Sequence, residues 1–205
     1  MTTAVLADFG PARGAGVWAK RAALFVGGIL ALWLSAKVQI ATWPVPVTLQ
    51  MLAVMVIGAG YGMRLGAATV LGYLALGLQG LPVFAGTPEK GIGIAYMFGP
   101  TGGYLLGFAL AAGLVGYLAQ RGWDRSMPRM AAAMALGLIA VYVPGVIWLC
   151  AGFSILPIAG AFEGVGWQHW YAYGIKTFLW VDALKLVVAV LLFPTIWRWV
   201  GGARL

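Results

Sequence analysis

Six stretches of this chain, near residues 18–36, 47–63, 65–81, 101–119, 131–150 and 177–197, run with scarcely a charge. A bilayer core about 30 Å thick is crossed by about 20 helical residues, or about 17 at the short end, and all six stretches qualify. Within lipid each backbone N–H and C=O needs a partner inside its own segment, so each stretch is expected to be an α-helix. Hydrophobic residues make up 62% of the chain and charged ones 9%, too few for a soluble surface. The expectation is an all-α, polytopic membrane protein, a bundle of six transmembrane helices. The remaining chain is too short for a second unit, so residues 1–205 are read as a single transmembrane domain.

The charges orient the bundle. Arg13, Lys20, Arg21, Arg64, Arg121, Arg125, Arg129, Arg198 and Arg204 fall at the two ends of the chain or at the junctions after the second and fourth stretches. Only Lys37, Lys90 and Lys176 mark the opposite side. By the positive-inside rule both termini are cytoplasmic, and the net charge of +8 is a topology signal rather than a nucleic-acid footprint. Residues 1–17 lack the apolar core of a cleaved signal and read as a short cytoplasmic tail. A single cysteine, Cys150, excludes an internal disulfide and a cysteine-cluster metal site.

Several segments depart from plain membrane helix. Ala19, Ala23, Gly27, Ala31 and Ser35 recur every fourth residue on the first helix. Such a small-residue face serves either packing inside the bundle or the approach of another subunit, and both readings stay open. Pro44 and Pro46 stiffen the first external loop, which is apolar enough to fold back over a pocket. The second loop, with Phe84, Glu89 and Lys90, leads into Gly99-Pro-Thr-Gly-Gly-Tyr-Leu-Leu-Gly-Phe108. Its glycines bare the backbone at one end of the fourth helix, where free amides can receive a polar group. The third connection contains Pro157, Glu163, Trp167 and the only histidine, His169, which is read as an interfacial residue without a role.

Asp182 and Lys185 stand inside the sixth stretch, one helical turn apart and therefore on one face. Each costs roughly 2.5–3.5 kcal/mol at mid-membrane, so such residues usually face a cavity, a partner or a pathway. The alternative is an ion pair that only braces the bundle. Enzymatic chemistry is poorly provided for. No GxxxxGKS/T phosphate loop and no HExxH zinc motif occurs, Asp182 is the only aspartate within a span, and Ser154 with His169 fits no serine-hydrolase motif. Neither metal nor cofactor is expected.

Five segments together resemble the BioY biotin transporter proteins, the substrate-binding S components of energy-coupling factor (ECF) transporters. They are Pro44-Val-Pro-Val-Thr-Leu-Gln50, Arg64-Leu-Gly-Ala67, Gly77-Leu-Gln-Gly-Leu-Pro-Val-Phe-Ala-Gly86, the Gly99 to Phe108 run and Asp182-Ala-Leu-Lys185. The resemblance implies biotin bound near the external face, beneath the first loop and beside the fourth and sixth helices. Asp182 would accept from ureido N–H groups and Lys185 would donate to an oxygen. Phe84, Tyr104 and Trp43 would wall the rings, with Thr101, Gly102, Gly103 and Gln50 adding polar contacts and Lys90 near the distal carboxylate. It further implies a transmembrane coupling subunit with two cytoplasmic ATPases, docking on Ala19, Ala23, Gly27 and Ala31 in a bacterial or archaeal cell membrane. A homo-oligomer working without those proteins stays open. So do the same fold binding another small heterocyclic vitamin, and a membrane enzyme using Asp182.

Overall fold

The computed structural model describes residues 4–8, 14–152 and 162–200. Arg13, Arg204, Ser154 and Pro157 therefore lie outside the described residues. The helices are α1 (Ala15–Lys37), α2 (Gln50–Leu78), the short α3 (Gly93–Met97), α4 (Gly102–Ala119), α5 (Met127–Ala151) and α6 (Thr177–Val200). A two-strand antiparallel ribbon joins α1 to α2: β1 (Gln39–Ile40) pairs with β2 (Val47–Thr48), with Gln39 opposite Thr48.

Among the described residues five helices are long and apolar enough to cross a membrane, against six expected spans. The difference is resolved inside α2. At Gly62 the backbone takes φ 80°, ψ 174°, a region essentially confined to glycine, and the chain doubles back. A straight helix would hold Gln50 and Tyr73 about 35 Å apart along its axis. Instead Gln50 Nε2 donates to Tyr73 Oη at 2.8 Å. α2 is thus a helical hairpin with arms 50–61 and 63–78, and the bundle has six rods.

The turn is held from α4. Met63 N donates to Gln120 Oε1, and Gly116 has no room for a side chain against the backbone of Gly62 and Met63. Further along, Gly58 meets the Ala112 backbone equally closely. Missing side chains on both helices let the backbones approach, the usual substitute for hydrophobic packing within lipid. α4 is the most enclosed span, with α2 on one side and α5 on the other.

α1 packs mainly on α2, through Gly28 against Tyr61 and Thr69 and through buried Leu32, Ser35 and Ala36. Ala19, Ala23, Gly27 and Ala31 are exposed, and a Cβ on Gly27 would meet nothing within 4 Å. Of the small-residue stripe only Ser35 is buried, so its other four members do not pack within the bundle.

The arginine-rich end is closed by residues from three parts of the chain. Residues 4–8 do not trail free as a tail would: Leu6–Asp8 form one helical turn and Val5 is buried beside Gly62. Asp124, fully buried between α4 and α5, accepts a hydrogen bond from Trp197 Nε1 of α6. Arg125 lies over the Trp197 ring and donates to the Ala4 carbonyl. Burial pushes the Asp124 carboxyl up to about 6, against the opposing pull of the indole bond and the Arg125 charge.

Candidate substrate-binding site

The opposite end contains a cleft, and the short first arm of α2 makes room for it. Residues 50–61 rise about 18 Å, well under the bilayer core, and the ribbon segment 45–48 fills the space above. This segment forms one wall of two adjoining lobes. The first is bounded by Val45, Pro46, Thr48, Met51, Tyr104, Phe108, Val141, Tyr142, Phe178, Asp182 and Lys185. The second shares Val45, Pro46, Thr48, Tyr104 and Phe108 and adds Gln50, Ala85, Tyr96, Thr101 and Leu105. Their free volumes are about 50 and 30 Å³, space for a few waters. This is less room than a vitamin-sized ligand fills, so binding one requires a wall to shift.

Asp182 and Lys185 meet as their spacing requires: Lys185 Nζ lies 2.6 Å from Asp182 Oδ1, with Asp182 3% and Lys185 7% exposed. The same Nζ donates to the Thr48 carbonyl at 2.6 Å, which ties α6 to the 45–48 wall. Tyr142 of α5 donates its hydroxyl to Asp182 Oδ2 at 2.7 Å. A carboxylate offers about four acceptor sites and an ammonium three protons. Two of the former and two of the latter are engaged, so the pair can still accept two donors and supply one. That suits a neutral group carrying an N–H donor next to a carbonyl.

Tyr104 separates the lobes and is fixed by donating to the Gly174 carbonyl at 2.9 Å. That carbonyl belongs to a π-helical turn, Ala172–Lys176, preceding α6. Such turns loosen the regular ladder and free carbonyls for other donors.

Among the residues singled out from sequence, Asp182, Lys185, Tyr104, Thr101 and Gln50 come together around the cleft. The others do not line it. Trp43 is 69% exposed on the outer side of the ribbon, edge-on to Tyr173. Phe84 is fully buried behind the second lobe, stacked on Tyr96. Gly102 and Gly103 are pressed against Trp148 and the carbonyls of Met97 and Pro144, so they serve helix packing. Lys90 lies exposed with its stem against Gly86.

Sequence reasoning passed over Tyr142, Tyr96 and the Thr48 carbonyl. Tyr142 did leave a signal: it is a hydroxyl in the middle of the apolar run 131–150, and a buried tyrosine hydroxyl usually finds a partner. Tyr96 and Thr48 left none, because their roles arise from loop placement.

Comparison with known proteins agrees with this architecture. Residues 5–202 match the family model described as BioY family. The chain is 38% identical over 157 residues to the biotin transporter BioY of Thermotoga maritima, covering 77% of this chain and 83% of that protein. It is 34% identical over 177 residues to the biotin transporter BioY of Rhizobium etli, covering 83% and 87%. It is also 34% identical over 192 residues to that of Rhodobacter capsulatus, covering 89% and 94%. The fold is similar to the crystal structure of the S-component for biotin from an ECF-type ABC transporter. The TM-score is 0.72, with 24% identity over 91% of this chain and 95% of that one. A six-rod membrane bundle, a cleft with a buried Asp–Lys pair, and a match along almost the whole chain lead to one conclusion: this protein belongs to the BioY family.

Proposed function

We propose that the chain is the biotin-capturing S component of an ECF-type transporter in the cell membrane, a carrier rather than an enzyme. Its relatives carry the name of biotin transporters. The observation that carries the reading is the Asp182 carboxylate, held between Lys185 and Tyr142 at the wall of the first lobe with capacity for two more donors. The biotin ureido ring presents an N–H beside a carbonyl oxygen, which match an open acceptor site of Asp182 and the remaining Lys185 proton. The thiophane ring then lies among Met51, Phe108 and Phe178, and the valeryl chain passes Tyr104 into the second lobe. Thr101 and Gln50 supply polar contacts for its end, and Lys90, outside both lobes, is assigned none.

Capture begins with outward displacement of the 45–48 wall and ends when it closes. Lys185 acts in both steps, because its donors serve the wall carbonyl and the ligand. The exposed face of Ala19, Ala23, Gly27 and Ala31 is the docking surface for a transmembrane coupling subunit whose ATPases drive release inward.

Titration calorimetry with biotin on the purified protein tests the reading, with Asp182→Asn and Lys185→Ala beside the wild type. Heat of binding is expected for the wild type and a large loss of affinity for both variants. Absence of wild-type binding, or heat only with a different heterocyclic vitamin, would replace biotin as the ligand.

A further inference from the structure

Lys37, the last residue of α1, has no place in the binding chemistry above. Its ammonium nevertheless sits in a cage of oxygens: Pro82 O at 2.9 Å, and Phe84 O, Thr87 O and Thr87 Oγ1 each at 3.1 Å. Among the described residues the only ion pair is Asp182–Lys185, so no carboxylate answers this cation. Four acceptors around three protons mean that one proton is shared. Three carbonyls from a single tight turn point their negative ends at one place and repel each other there. The ammonium offsets that repulsion and adds to the turn's own bonds, in which Thr87 Oγ1 and Thr87 N donate to the Phe84 carbonyl.

The inner side of the turn reaches the second lobe. Phe84 stacks on Tyr96 with ring centroids 4.9 Å apart and meets Tyr73 edge-on at 5.5 Å. Tyr73 donates to the Val83 carbonyl while accepting from Gln50 Nε2, and Tyr96 donates to the Ala85 carbonyl. Ala85, Tyr96 and Gln50 line the lobe. Lys37 also stands at the root of the ribbon, since the carbonyl of Val38, the next residue, accepts from Leu49 N. The end of α1 thus meets both the 45–48 wall and the Ala85–Tyr96 wall of the cleft.

We propose that Lys37 is a positioning residue for the ligand: its ammonium holds the 82–87 turn, and through it the Ala85, Tyr96 and Gln50 wall of the second lobe. This rests on the reading of the cleft as the ligand site. Because the ammonium rides on α1, displacement of that helix changes the shape of the lobe and hence its affinity.

Lys37→Met retains the apolar stem and removes the donors, while Lys37→Arg retains charge and donors. Biotin calorimetry and ligand-free hydrogen–deuterium exchange are measured on wild type and both variants. Lys37→Met is expected to fold, to bind biotin about tenfold more weakly, and to exchange the 82–91 amides faster with the other spans unchanged. Lys37→Arg is expected to restore part of both. Unchanged affinity together with unchanged exchange overturns the proposal, and so does a uniform loss of protection over all helices. Absence of binding by the wild type itself defeats the biotin reading instead. The exchange of 82–91 then decides about Lys37 alone, and equal rates in wild type and Lys37→Met overturn it.

Discussion

Replacing Lys185 by Met separates the two things the Asp182–Lys185 pair can do. At 2.6 Å, with both residues buried, the pair lies where loss of one partner leaves an uncompensated charge, a cost of about 3–5 kcal/mol. Loss of the bond to the Thr48 carbonyl falls within the same figure, because it uses the same ammonium. Adding Asp182→Asn removes the stranded charge and leaves a neutral amide that can still accept from Tyr142. The double variant is therefore expected to recover roughly 2 kcal/mol or more relative to the sum of the single losses, as contacting residues in one network do. Unfolding in mild detergent measures that coupling, and biotin calorimetry is run on the same four proteins. If the pair holds ligand, stability returns in the double variant while affinity does not, because an amide and a thioether cannot replace two acceptor sites and a cationic donor. Recovery of affinity in step with stability would make the pair a brace and refute the binding role. Lys185→Met as stable as wild type would refute the electrostatic argument itself.

Three further outcomes are expected. Tyr142→Phe removes a 2.7 Å bond to Asp182 Oδ2, and since bonds to charged groups contribute about 1.5–3 kcal/mol, biotin affinity should fall by roughly tenfold or more in a folded protein; equal Kd values would show that Asp182 is oriented without it. Gly62→Ala places a Cβ 2.9 Å from Gln120 Nε2 at a backbone φ of +80°, with an expected loss of about 1–3 kcal/mol read as a lower Tm; an unchanged Tm would contradict the tight hairpin. Asp124 carries a native pKa of about 6, above its unfolded value, so the native state holds the extra proton between the two and its stability falls as pH rises through about 6. The Tm of wild type minus that of Asp124→Asn should therefore decrease between about pH 4 and about pH 6 and level off above, and a flat difference across that window would mean that burial does not perturb the carboxyl.

The apolar runs made six helical rods legible, though the arm 50–61 is shorter than a span, because satisfying backbone groups in lipid is a local requirement, met within each run whatever its neighbours. Even the merged α2 agrees, since the expected break between residues 63 and 65 lies close to the turn at Gly62. The Asp182–Lys185 contact was legible for the same reason: helical periodicity puts residues three apart on one face. Aromatic and glycine content was a poorer guide to the cleft. Trp43 follows the ribbon's outer face, Phe84 supports a wall from behind, and Gly102 and Gly103 yield their space to Trp148.

By itself the sequence determined the apolar helical runs and the presence of a charged pair in the last one, since each depends on residues within a few positions of one another. Only the tertiary structure decided what completes the pair. Tyr142 is 40 residues from Asp182 and the Thr48 carbonyl 137 residues from Lys185, and no periodicity connects such distances. They meet because small residues let α2, α4 and α5 approach closely, the first arm of α2 stops short, and the ribbon folds into the gap above α6.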